Sequence, residues 1–187
     1  MPPKSRYSRE KIIDTAYEMV RKNGESCLSA RAIAKELGCS TAPIFTVFSS
    51  IDDIYAEVAQ RAIALYGRYI KEGLSTVPAF KGTGLKYIQF AKDEPELFRM
   101  LFMRSEPDEL PSHYFPGGDA NEPMIRGAVE EDYGIDRERA RKIYNHLSVY
   151  VHGIAVLFAQ GRCVFTDEDA SLMLSEIFLA LTKGEKI

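Results

Sequence analysis

The chain has 187 residues, 45% of them hydrophobic, with a formal net charge of −3 and three cysteines. That is enough for one sizeable core, or for a small domain joined to a larger one. No apolar run reaches bilayer length, the start MPPKSRYSREK lacks a signal-peptide core, and Cys27, Cys39 and Cys163 are too scattered for a disulfide framework or a zinc site. A cytoplasmic protein with reduced thiols and no membrane partner is therefore expected.

The charge is unevenly distributed. Residues 1 to 48 carry eight basic against five acidic side chains, a surplus of +3 that leaves −6 for the remainder. A basic head on an acidic body suits contact with a polyanion at one end. In the N-terminal arm, residues 1–8, and just after it, Lys4, Arg6 and Arg9 are positioned for phosphate or minor-groove contacts. An ordinary solvated terminus is the other reading of the arm.

The first helix is REKIIDTAYEMVRKNG, residues 9–24. In LSARAIAKELG, residues 28–38, Ser29 is placed to cap a second helix, and Ala30, Ile33, Ala34 and Leu37 recur at helical spacing. Gly38 suits the left-handed conformation that ends a helix. Ser40 then opens a third helix through Thr41, Ala42, Pro43, Ile44, Phe45, Thr46 and Val47, with Pro43 in its first turn. Ile44 and Phe48 are expected to face inward, and Thr41, Ala42, Phe45 and Thr46 outward. Two short helices hinged at a glycine form a helix-turn-helix, whose second helix enters the major groove of DNA. Phe45 has two readings: a member of a small three-helix core, or a contact to the DNA backbone or a thymine methyl. Cys39, in the turn, reads as a buried packing residue or a redox-sensitive thiol.

Residues 9 to 58 resemble the DNA-binding domain of the TetR family of bacterial transcriptional regulators. REKIIDTAYEMVRKNG matches the family's first helix, LSARAIAKELG the second, CSTAPIFTVF the recognition helix, and SSIDDIYAEV the start of the long connecting helix. Three helices with their turns and spacing are far more specific than a lone helix-turn-helix pattern. The resemblance implies DNA contacts by Arg31 and by Ser40, Thr41, Ala42, Pro43, Phe45 and Thr46. Two departures matter: Val47 stands where members often have histidine, and Ile51 where they often have a basic residue. With no charged residue in the recognition helix, base readout rests on threonine hydroxyls, apolar contacts and DNA shape.

Beyond the head the pattern is helix after helix. Ser50 is placed to cap a long fourth helix with Asp52 and Asp53 in its first turn and a stripe of Ile54, Val58, Ala62, Leu65 and Tyr69. Residues 80–92 form a fifth helix, and Pro95 opens a sixth. PDELPSHYFPGGD is a loop, residues 120–132 a weaker helix, Asp136 to Gln160 a long one, and Thr166 caps the last. The expected fold is all-α, with about nine helices divided into a head at residues 1–50 and a body at 51–187.

The body concentrates aromatic and sulfur side chains. Phe90, Phe98, Phe102, Met103, Tyr114, Tyr144, His146 and His152 are candidates for a cavity holding a small apolar or amphipathic effector, and plain core is the other reading. FAKDEPELFRMLF and YVHGIAVLFAQG resemble a TetR regulatory-domain subgroup with a His-Gly pair, here His152-Gly153. Gly153 is unfavourable in mid-helix, by about 1 kcal/mol against alanine, and is expected to permit a close helix crossing or ligand approach. The last two helices are apolar over more than one face, which calls for an outside partner. The resemblance implies that this partner is the same helix pair of a second chain, with Val151, Ile154, Phe158, Leu174, Ile177, Phe178 and Leu181 as candidate homodimer contacts. No cofactor, metal or catalysis is expected, because no nucleophile, phosphate-loop or metal-ligand motif is found. The resulting expectation is a dimeric, ligand-released repressor of double-stranded DNA in the bacterial nucleoid. The alternative is a DNA-binding protein whose body recruits a protein partner and takes no effector.

Overall fold

A computed structural model describes residues 7–103 and 121–183. These residues form an all-α architecture: α1 (Arg9–Asn23), α2 (Ala30–Leu37), α3 (Ala42–Val47), α4 (Ile51–Leu74), α5 (Ala79–Asp93), α6 (Pro95–Phe102), α7 (Glu122–Tyr133), α8 (Arg137–Ala159) and α9 (Asp167–Lys183). A 3-10 turn at Glu25–Cys27 follows α1, and no strand occurs among the described residues. Packing separates two compact units, residues 7–64 with 96–103, and residues 65–95 with 121–183.

Helix starts follow local chemistry. The Ser8 hydroxyl accepts from the Lys11 amide at 3.2 Å. Ser50 and Asp53 cap α4 reciprocally: the Asp53 amide donates to Ser50 Oγ at 3.1 Å and the Ser50 amide to Asp53 Oδ2 at 3.0 Å. Thr166 and Asp169 repeat this arrangement at α9, at 3.1 and 2.8 Å. Asp136 accepts from the Glu138 and Arg139 amides, both at 2.9 Å, at the start of α8. Those two amides, the Arg139 amide foremost, hold its carboxyl below the usual carboxylate range.

In the first unit α1 packs on α2 and on the 3-10 turn. Ile12, Ile13, Ile33, Ile44, Ile54 and Val58 are all at most 1% exposed and form its core. In the second unit α5 packs most extensively on α8, and α7 and α9 pack against the same pair. Gly73 near the end of α4 and Gly82 in α5 permit close backbone contact. A Cβ on Gly82 would lie 1.7 Å from Thr76 Oγ1 and 2.4 Å from the Gly73 carbonyl oxygen.

The α4 stripe departs from expectation in its second half. After Ile54, Val58 and Ala62 the buried line continues through Tyr66 and Ile70, each 1% exposed, while Leu65 and Tyr69 are only half-buried. The buried line keeps the i+4 step throughout. Tyr69 belongs at the edge because its hydroxyl donates to Asp93 Oδ2 at 3.0 Å. Burial, with that carboxylate beside it, pushes the phenol up to about 12.

Candidate functional site

The helix-turn-helix is built from α2 and α3. Ser29 Oγ accepts from the Ala32 amide at 3.2 Å. Gly38 takes the left-handed conformation at φ 67 and ψ 40, and its amide bonds back to the last turn of α2. The start of α3 corrects the expectation for Ser40, which is not the cap. The Thr41 carbonyl accepts from the Ile44 and Phe45 amides at 3.1 and 3.2 Å, and no side chain caps the helix. A cap side chain bonds the amide two or three residues on, and for Ser40 the third residue is Pro43, which has none, leaving the Ala42 amide as the single candidate donor.

Ile44 and Phe48 face inward at 0% and 3% exposure, whereas Phe45 is 51% exposed beside exposed Ala42 and Thr46. That removes the core reading of Phe45. Thr41 and Pro43 are half-buried, and Ser40 is exposed in the turn. The Thr46 hydroxyl donates to the Ala42 carbonyl at 2.9 Å, so only its acceptor lone pairs and methyl remain for a partner. Arg31 is exposed on α2.

Arg9 is a more constrained residue than an arm contact. Its guanidinium lies 4.5 Å from the centroid of the Phe48 ring and donates to Glu57 Oε1 on α4 at 2.6 Å. Arg61 of α4 pairs with Asp14 of α1, and the Tyr55 hydroxyl donates to Glu25 at 2.8 Å. Together these contacts tie α1 and the segment after it to the start of α4, clamping the end of α3 at Phe48. Lys4 and Arg6 lie outside the described residues, as does Tyr114.

The expected pocket residues fall in both units. Phe98, Phe102 and Met103 belong to the first unit, and Phe90, Tyr144, His146 and His152 to the second. Phe98 is wholly buried with its ring centroid 5.0 Å from that of Phe102. Phe90 is wholly buried among Tyr66 and Tyr69, and Tyr144 is 7% exposed. His146 is exposed. His152 is half-buried, with its Nδ1 2.9 Å from the Tyr87 hydroxyl, and burial holds its imidazole below the ordinary value.

A cavity of about 300 Å³ opens elsewhere in the second unit. Phe80, Tyr133 and Phe178 supply aromatic walls, with ring centroids 5.6 Å apart for Phe80–Phe178 and 4.2 Å for Tyr133–Phe178. Val151 and Leu174 line it from α8 and α9, beside Gly84 of α5. None of the described residues expected to form a pocket lines this cavity. The signal that could have found it is the KGTG run at residues 81–84, two glycines inside a helix beside a lysine.

The apolar faces of α8 and α9 also needed the structure. Val151, Ile154, Leu174 and Phe178, expected at a dimer contact, are buried in the chain's own core at 3–7% exposure. Phe158, Ile177 and Leu181 are half-buried, and the Lys92 ammonium sits 5.0 Å from the centroid of the Phe158 ring. The surface is instead formed by Val149 at 58%, Leu157 at 37%, Leu172 at 58% and Leu179 at 48%. Gly153 lies between Val149 and Leu157 on α8 and is exposed. Among the described residues nothing lies within 4 Å of a Cβ built on it, so it serves no helix crossing between the described helices.

No helix of the described residues is long and apolar enough to cross a membrane. Among the same residues, no group of three His, Cys, Asp or Glu side chains is placed to hold a metal ion.

No family model matches the chain, and no curated protein matches it. Among solved structures, the chain is similar to a TetR-like transcriptional regulator from Rhodococcus sp. RHA1. The TM-score is 0.63 at 14% identity, covering 99% of this chain and 100% of that one. At that identity the likeness establishes the fold: the chain has the architecture of a TetR-like regulator.

Proposed function

We propose that the chain is a dimeric transcriptional regulator that binds double-stranded DNA through α2 and α3. The observation that carries this reading is Phe45, a large aromatic 51% exposed on a short uncharged helix that follows a left-handed glycine turn. The fold of the Rhodococcus regulator, shared over the whole chain, supports it. Residues 1–50 act as the DNA-binding head, with Arg31, Ser40, Thr41, Ala42, Pro43, Phe45 and Thr46 at the groove and Lys4 and Arg6 in the arm. Residues 51–187 act as the body that binds effector and partner.

A second copy covers the exposed stripe of Val149, Gly153 and Leu157 on α8 with Leu172 on α9, displacing the contacts first expected one face away. Two-fold symmetry then presents two recognition helices at a groove spacing of about 34–36 Å to a palindromic operator. An effector releases the DNA by binding one conformation of the dimer more tightly than the other, and its differential affinity sets the shift.

The test is fluorescence anisotropy on the DNA upstream of the chain's own gene, at two salt concentrations, against unrelated DNA. Selective binding to a short palindromic segment is expected. Equal binding to both DNAs that vanishes at moderate salt refutes operator recognition.

A further inference from the structure

We infer that the cavity bordered by α5, α7, α8 and α9 binds a small amphipathic carboxylate, its apolar tail among Phe80, Tyr133 and Phe178 and its charge on Lys81. This names the effector class of the proposed regulator and rests on that reading for its regulatory role alone, since binding itself requires no DNA. Four observations converge on it.

The first is size. A volume of about 300 Å³ holds roughly ten non-hydrogen atoms at the ~30 Å³ that one water takes up in the liquid. The second is that the wall at Gly84 has no room for a side chain. A Cβ on Gly84 would stand 3.3 Å from Leu174 Cδ1 and 3.5 Å from Val151 Cγ2, so a longer side chain there runs into two of the cavity walls.

The third is wall chemistry: three aromatic rings with Val151 and Leu174 favour an apolar tail. The fourth is the sign of the charge. Lys81 lines the cavity half-buried and has no ion-pair partner among the described residues. A cation at the edge of an apolar space selects an anion and repels an amine.

Two neighbouring polar groups are engaged elsewhere. Asp132, the nearby acid, accepts from the Ala79 amide at 2.8 Å at the start of α5. Burial and the Asp132 charge push the Tyr133 phenol up, so it remains a neutral hydroxyl at physiological pH. The Ser175 hydroxyl donates to the Ser171 carbonyl at 3.0 Å. Lys81 and Tyr133 are therefore the donors that the lining offers an anion.

The test is titration calorimetry of the full chain with octanoate, octan-1-ol and octylammonium. Octanoate is expected to bind at least tenfold tighter than octanol, and octylammonium not measurably. Lys81→Gln is expected to bring octanoate down to the octanol affinity with an unchanged melting temperature. Gly84→Leu is expected to abolish both, and should that variant fail to fold, the Lys81→Gln comparison decides alone. Absence of octanoate binding, equal binding of octylammonium, or an unaltered affinity in Lys81→Gln overturns the site.

A second copy seated in the cavity would show as a dimer that takes no octanoate, which also overturns it. Anisotropy on operator DNA is read separately. Octanoate that binds without weakening the DNA complex keeps the site and refutes its regulatory role. Failure of the chain to bind any DNA refutes the regulator and leaves the carboxylate site standing.

Discussion

Replacing Phe45 by alanine separates the groove from the core. Full burial of a phenylalanine side chain is worth about 1.5–3 kcal/mol, so at 51% exposure truncation puts about 1 kcal/mol of stability at stake. For a chain of this size that lowers the melting temperature by about 2–4 °C. Phe48, 3% exposed and stacked under Arg9, is the control, with an expected loss of about 3–5 kcal/mol on truncation. Against DNA the order reverses. Removing the readout of one base step costs about 1–3 kcal/mol, and a symmetric dimer pays that twice, so Phe45→Ala weakens operator binding by roughly thirtyfold or more. Because the ring neutralises no phosphate, the slope of log affinity against log salt stays unchanged, whereas Arg31→Ala lowers it by about 1 for each phosphate left without its guanidinium. Anisotropy at several salt concentrations and a thermal melt on the same samples read both quantities. A melting temperature lower by about 10 °C, well beyond the shift expected for a half-exposed ring, refutes the placement of Phe45 at the groove. So does an undiminished operator affinity.

Other outcomes follow from the packing. Gly82→Ala brings a Cβ against Thr76 Oγ1 and the Gly73 carbonyl, and should cost about 3 kcal/mol or more by chemical denaturation; a loss below about 1 kcal/mol would contradict that close approach. Val149→Glu with Leu157→Glu should turn the dimer into a folded monomer by light scattering, and in that monomer Gly153→Ala, whose Cβ meets nothing among the described residues, should raise stability by about 0.5–1 kcal/mol. A double variant that stays dimeric rules that face out. His152 makes stability pH-dependent: burial lowers its imidazole from the ordinary 6.5, so the unfolded chain takes up the proton first on acidification. Its contribution is complete above about 6.5 and is lost as pH falls through that value toward the lower folded one. Urea midpoints at about pH 7.5 and 5.5 should therefore fall further for wild type than for His152→Gln, and equal falls would dismiss the effect.

What the sequence by itself determined is what neighbours along the chain decide. Ser8, Ser29, Asp136 and Thr166 cap helices because their side-chain oxygens reach amides two or three residues away, wherever the helix later packs. Gly38 closes α2 for the same local reason, and the helix count and the exposure of Phe45 follow from spacing. The Ser40 expectation failed within this local class, and the missing Pro43 amide could have corrected it.

Only the tertiary structure decided which of two apolar faces turns inward. On α8 both Val151 with Ile154 and Val149 with Leu157 satisfy helical periodicity, and the buried pair is chosen by the elements packed against it. The same holds for the aromatics. Phe90 and Phe98 fill core, while the cavity falls beside Phe80, Tyr133 and Phe178, because an empty volume depends on residues from four helices far apart in sequence. Arg9 shows the same limit at the charged end: composition places it in a basic arm, and Glu57, forty-eight residues away, holds it against Phe48.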